Sequence, residues 1–133
     1  MPHRQFPMAR ERLLVARTLI EITKGLQRTY ANPGEPLGTT VELLFVGICV
    51  FIGHLENRPM SASMVARFLE IPRTTAFRRL DKLLKRGLVR RSGRLYYLNE
   101  TEFNKRAAAS IPRVFRAISK MGEELSKGKP KAA

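Results

Sequence analysis

The sequence predicts a mainly α fold, with a three-helix core carrying one short β-hairpin and a further helix at each end. Three observations predict it. Apolar residues recur at helical spacing along most of the chain, one segment between residues 88 and 98 carries a strand–turn–strand pattern, and Pro and Gly cluster where the helical patterns stop. The 133 residues, 44% of them apolar, suffice for one domain with a hydrophobic core.

Residues 1–9 are expected to form a flexible N-terminus. The start, Met1-Pro2-His3-Arg4-Gln5-Phe6-Pro7, is positively charged but has no apolar segment directly after it, so no secretory signal is expected. From Arg10 to Tyr30, Val15, Leu19, Ile22 and Leu26 fall on one stripe of a helix turning ~100° per residue. Leu13 and Ile20 lie nearly opposite, a second apolar face suited to meeting another chain. The segment Asn32-Pro33-Gly34-Glu35-Pro36-Leu37-Gly38 is too rich in Pro and Gly for regular structure and reads as a loop.

Thr39 with Glu42 three residues later has the spacing of a capping box, which places the start of a second helix at Thr39. Its apolar run, Val41 to Leu55, covers most of the helix circumference and is shorter than the ~20 residues needed to cross a bilayer, so a central buried helix is expected. Cys49, the only cysteine, agrees with a reducing, cytoplasmic setting and reads as a small buried hydrophobe rather than a redox sensor. His54 has only the distant His3 for company. No catalytic, cofactor-binding or metal-binding constellation emerges.

The informative stretch is Ser61 to Leu98. Ser61 or Ser63 can cap a short helix whose small Ala66 admits close approach of the next helix. Glu70 to Arg73 is a turn. Pro72 suits the first turn of a helix running to Arg86, on which Ala76, Leu80, Leu83 and Gly87 form the buried stripe. Thr74, Arg78, Lys82 and Lys85 then lie on the outer side, with Arg73 and Thr75 near the exposed amino end. Gly87 ends the helix in a left-handed conformation. Leu88 to Arg91 begins a strand, Ser92-Gly93 is the expected two-residue turn, and Leu95-Tyr96-Tyr97-Leu98 returns. That turn would set Arg91 opposite Arg94, a like-charge conflict that a polyanion would relieve.

Charge singles out the same stretch. The chain carries +14, of which residues 58–98 contribute +9, with eleven basic and two acidic side chains, while residues 31–57 hold three acidic and no basic ones. Such a field attracts polyanions, nucleic acid first among them. The plainer reading of individual charges stands beside this one: Arg79, Arg86 and Arg90 solvated or paired with Asp81 and Glu70, Asp81 and Lys85 a helix pair, Phe77 packed at the helix edge.

Beyond the hairpin, Asn99 and Glu102 repeat the cap spacing before a helix from Glu100 to Ala109, and Ile111-Pro112 interrupts it. Ser110 can cap a final helix with Phe115, Ile118, Met121 or Gly122, and Leu125 as its apolar stripe. Residues 127–133 are expected to form a basic mobile tail.

With Ala66, Leu69, Ile71, Thr75, Arg79-Leu80, Leu83 and Gly87-Leu88-Val89 in this order, the stretch resembles the winged helix-turn-helix of bacterial transcription regulators. The arrangement over residues 10–126 resembles the MarR (multiple antibiotic resistance regulator) family, although the hairpin Arg90-Arg91-Ser92-Gly93-Arg94 is shorter than the usual wing and lacks its Asp-x-Arg element. The resemblance implies a single winged-helix domain over 10–126, with residues 39–98 as a DNA-binding core. It also implies a homodimer through interlocking helices at 10–30 and 100–126. The function expected is that of a double-stranded DNA-binding repressor, with Arg73, Thr74, Thr75, Arg78, Lys82, Lys85, Arg91 and Arg94 meeting DNA. The competing class is a protein-interaction module whose basic face takes an acidic partner. Many relatives bind a small phenolic effector, but no residue here marks such a pocket, and no cofactor is expected.

Overall fold

The computed structural model describes residues 6–127. The element order is α1 (Ala9–Tyr30), α2 (Leu37–Leu55), β1 (Met60–Ser61), α3 (Ala62–Leu69), α4 (Arg73–Lys85), β2 (Val89–Ser92), β3 (Leu95–Leu98), α5 (Glu100–Ala107) and α6 (Ile111–Lys127). This is a mainly helical winged helix-turn-helix with a small antiparallel sheet in the order β1-β3-β2. The sequence predicted only the hairpin of β2 and β3. The two-residue β1 was missed because Met60 and Ser61 are too few to show alternation, and only their pairing with Tyr96 and Leu95 makes them a strand. The flexible N-terminus expected over 1–9 and the mobile tail over 127–133 lie, for 1–5 and 128–133, outside the described residues; Ala9 and Lys127 are helical.

Helix α2 is the centre of the core. Leu43, Leu44, Val46, Cys49 and Val50 are buried against Val65 and Ala66 of α3, Leu80 and Leu83 of α4, Leu98 of β3 and Phe103 of α5. At 19 residues α2 is long and apolar enough to cross a membrane; Leu43, Leu44, Val46, Cys49 and Val50 face this core, while Phe45, Phe51 and Leu55 are exposed. Burial pushes the Cys49 thiol up to about 11, so it stays protonated and acts as an apolar filler at neutral pH. Gly47 is required where it stands, because the ring of Tyr30 occupies the space a Cβ would need. That close approach seats the end of α1 on α2, with Tyr30 edge-on to Phe103 at 6.0 Å.

Helices α1 and α6 run antiparallel. Arg10 pairs with Glu124 at one end, Glu21 with Arg113 at 3.1 Å further along, and at Gly25 Val114 occupies the space a Cβ would need.

Three expected caps are corrected. Helix α2 starts at Leu37 rather than Thr39, because Pro36 takes the N-cap position and its carbonyl accepts from Thr39 Oγ1 at 2.8 Å; Glu42 leaves the local backbone for the guanidinium of Arg79, a stronger charge-assisted partner. Asn99 is the N-cap of α5 but makes no side-chain bond, and Glu102 pairs with Arg106 at 3.4 Å. Ser110 is buried, donating to Ala107 O at 3.1 Å and meeting Thr29 Oγ1 at 3.3 Å instead of capping α6. Pro112 sits in the first turn of α6, where its missing N–H forfeits no helical bond.

Candidate nucleic-acid interface

The α3–turn–α4 unit is set by local chemistry. Ser61, not Ser63, caps α3, accepting from Met64 N at 3.2 Å. Glu70 adopts a left-handed conformation (φ 57°), after which Ile71 N donates back to Ala66 O at 3.0 Å and reverses the chain. Pro72 stands one residue outside α4 as its N-cap, with its carbonyl accepting from Ala76 N at 3.0 Å. Ala76, Leu80 and Leu83 have no exposed surface, as their spacing predicts.

At the far end Gly87 has φ 75°; its N–H reaches Leu84 O at 3.0 Å while Leu88 N reaches Leu83 O at 3.1 Å. These two bonds and the buried Leu83 and Leu88 make a Schellman end, which aims β2 away from α4.

The basic residues of α4 divide into two sets. Arg73, Thr74, Arg78, Lys82 and Lys85 are exposed and Thr75 is half-buried. Among the described residues Arg73, Arg78 and Lys82 make no ion pair, and Lys85 meets Asp81 at 3.0 Å. Arg86 turns inward and Arg79 lies partly exposed against α2. Arg79 pairs with Glu42, and Arg86 makes a bidentate contact with Glu35 at 2.7 Å while donating to Tyr30 O at 2.7 Å. The Arg86 guanidinium, helped by the Asn32 N–H, holds the Glu35 carboxyl down at about 2. The expected pairings with Asp81 and Glu70 are therefore corrected for these two arginines. Two of the three acidic residues of segment 31–57 are engaged with them instead, an outcome decided by chain packing across 37 and 51 residues.

The hairpin also differs from expectation. Ser92 pairs with Leu95 and Arg91 with Tyr96, so the turn residues are Gly93 and Arg94, not Ser92 and Gly93. Gly93 has φ 60° as the first central residue, the position at which a II′ turn demands glycine. Arg91 consequently does not face Arg94, and the like-charge conflict is absent. The Arg91 guanidinium lies 5.7 Å from the ring centre of Phe77 and 5.5 Å from that of Tyr96, with Nε donating to Gly93 O at 2.7 Å. Arg94 occupies the exposed tip. Arg90 lies over Tyr97 at 5.3 Å and reaches Leu98 O at 3.4 Å.

His54 is accounted for by packing. Its Nδ1 accepts from Leu98 N at 3.1 Å, which leaves the ring proton at Nε2 to be donated to Glu100 at 2.8 Å, tying α2, β3 and α5 together. Sequence reasoning had no signal for this contact, since the partners lie 44 and 46 residues away. Among the described residues no group of three His, Cys, Asp or Glu side chains could hold a metal.

The α4 outer face and the hairpin thus present eight arginine, lysine and threonine side chains to solvent, Arg90 among them, with Thr75 half-covered beside them. Residues 50–94, from the end of α2 to the tip of the hairpin, match the model of the MarR family. This segment, about a third of the chain, is similar to the winged helix-turn-helix of the MarR family, a family of DNA-binding transcription regulators. No curated protein and no solved structure matches the chain.

Proposed function

We propose that this MarR-like protein is a sequence-specific repressor that binds double-stranded DNA as a homodimer in the cytoplasm. The observation that carries the reading is the division of charge on α4: Arg79 and Arg86 are paired with Glu42 and Glu35, while Arg73, Arg78 and Lys82 stand in solvent without an acidic partner among the described residues. In this reading Arg78 takes the two acceptors of a guanine, Thr74 and Thr75 meet a thymine methyl or a phosphate, and Arg73, Lys82 and Lys85 neutralise phosphates. Arg91 and Arg94 address the sugar-phosphate backbone or the minor groove. The single winged-helix domain spans residues 10–126, with 39–98 as its DNA-binding core.

The dimer is assigned to residues 10–30 and 100–126. Leu13, Leu19 and Ile20 of α1 and Phe115 and Ile118 of α6 are exposed, more apolar surface than a lone helix pair needs. A groove of about 830 Å³ between the two helices, lined by Leu14, Ile20, Ala117 and Met121 together with charged side chains of both helices, offers a seat for the same helices of a second copy. Two recognition helices would then enter successive major grooves ~34 Å apart and require a palindromic site.

Selection from random duplex DNA tests the reading, with a palindrome as the expected product. Affinity for it should fall roughly 10³- to 10⁵-fold between about 50 and 200 mM salt, as for six to ten phosphate contacts. The double variant Arg78→Glu with Arg91→Glu should abolish binding with the fold intact. Unchanged duplex affinity in that variant would assign the basic face to an acidic protein partner instead.

A further inference from the structure

Phe77 is the one apolar side chain of α4 that faces solvent to a large extent, 46% exposed on a helix whose buried stripe is complete without it. It is not idle. The guanidinium of Arg91 lies between the Phe77 ring and the Tyr96 ring, at 5.7 and 5.5 Å, and its Nε is bonded to the carbonyl of Gly93 in the hairpin turn. One side chain therefore joins three elements: α4, β3 and the turn. The sheet makes such a tie useful. Strand β3 has neighbours on both sides, whereas β2 is an edge strand and leads into a tip that carries the unpartnered Arg94.

We infer that Phe77 is a positioning residue: by holding Arg91 over its ring it sets the separation between the outer face of α4 and the hairpin tip, so that Arg94 meets a phosphate in register with the α4 contacts. The inference rests on the DNA-binding reading for its functional consequence, but the tie itself exists in the free protein. A cation–π contact orients a cation without neutralising it. Arg91 keeps its charge, and its Nη atoms have no hydrogen-bond partner among the described residues. The tip is thus pre-organised at no loss of positive potential.

The test uses the full-length chain and the duplex recovered by selection. Phe77→Leu keeps an apolar side chain and changes no charge. It should weaken binding roughly three- to thirty-fold, the range of cation–π contacts from exposed to desolvated. It should also lower the salt slope by about 0.9, one phosphate, as Arg94→Gln does by removing a charge. Combined, F77L and R94Q should cost less than the product of their separate losses, and Phe77→Tyr should restore wild-type binding. In the free protein the amide order parameters of Gly93 and Arg94 should drop from about 0.85 to below about 0.6 in F77L. An unchanged salt slope with losses that multiply would overturn the inference and leave Phe77 as packing or a base contact. Should no duplex be selected, the DNA reading fails separately, and unchanged order parameters would still sink the tie.

Discussion

In α4 the stripe of Ala76, Leu80 and Leu83 is fully buried, whereas in α6 Phe115 is 61% and Ile118 44% exposed, although both helices are strongly amphipathic. Periodicity says which face of a helix is apolar; it does not say whether the chain has anything to lay against that face. Helix α4 lies against α2 and α3 within its own domain, and α2 is apolar on several sides, so its stripe is closed. Helix α6 packs mainly on α1, and α1 is itself apolar on a second side, with Leu13 and Ile20 exposed. Helix α4 closes its apolar stripe within a single chain, while α1 and α6 leave large apolar side chains in solvent.

Truncations on the two helices separate these situations most widely. Leu80→Ala should lower unfolding free energy by about 2–5 kcal/mol, the cost of a cavity in a packed core. Phe115→Ala should cost under about 0.5 kcal/mol in the monomer and yet shift the sedimentation equilibrium away from the proposed dimer. A Phe115→Ala variant with an unaltered association state would break the contrast.

Next in size is the ion pair that closes the α4 end of the core. Glu35→Gln should cost about 1.5–3 kcal/mol at pH 7, as loss of charged hydrogen bonds to the buried Arg86. Because folding lowers the Glu35 pKa from 4.5 to about 2, the stability it contributes is complete above pH 4.5 and is lost as pH falls towards 2. Denaturant titrations across that window should show a shallower acid decline in E35Q than in the parent.

The outward side of α4 gives smaller, binding-only effects. Arg78→Gln should cost about 1–3 kcal/mol at one base-pair position and relax specificity there, with the melting temperature unmoved. Lys82→Gln should weaken all duplexes alike and reduce the salt slope by about 0.9. The smallest signal is expected from Cys49: its raised pKa and burial should keep a thiol reagent from labelling the native protein, with reaction appearing only on unfolding.

Local chemistry in the sequence was sufficient for much of the winged motif. Ala76, Leu80 and Leu83 at helical spacing, Pro72 before α4 and Gly87 after it each act over a few residues, so their consequences can be read without knowing the fold. The outward position of Thr74, Arg78 and Lys82 follows from the same geometry. The hairpin turn lay one residue from its expected place because Ser-Gly and Gly-Arg are both acceptable turn pairs. The register was chosen by where Val89, Tyr96 and Leu98 could be buried.

What the sequence alone determined, then, is where helices run, which faces are apolar and where positive charge accumulates, since propensity, periodicity and charge are properties of neighbouring residues. Which charges remain available was decided only by tertiary structure. Glu35 and Glu42 reach Arg86 and Arg79 across long stretches of chain, and Arg91 settles between Phe77 and Tyr96. The physical reason is that an ion pair or a cation–π contact depends on distance in space, which sequence separation does not fix until the core has packed.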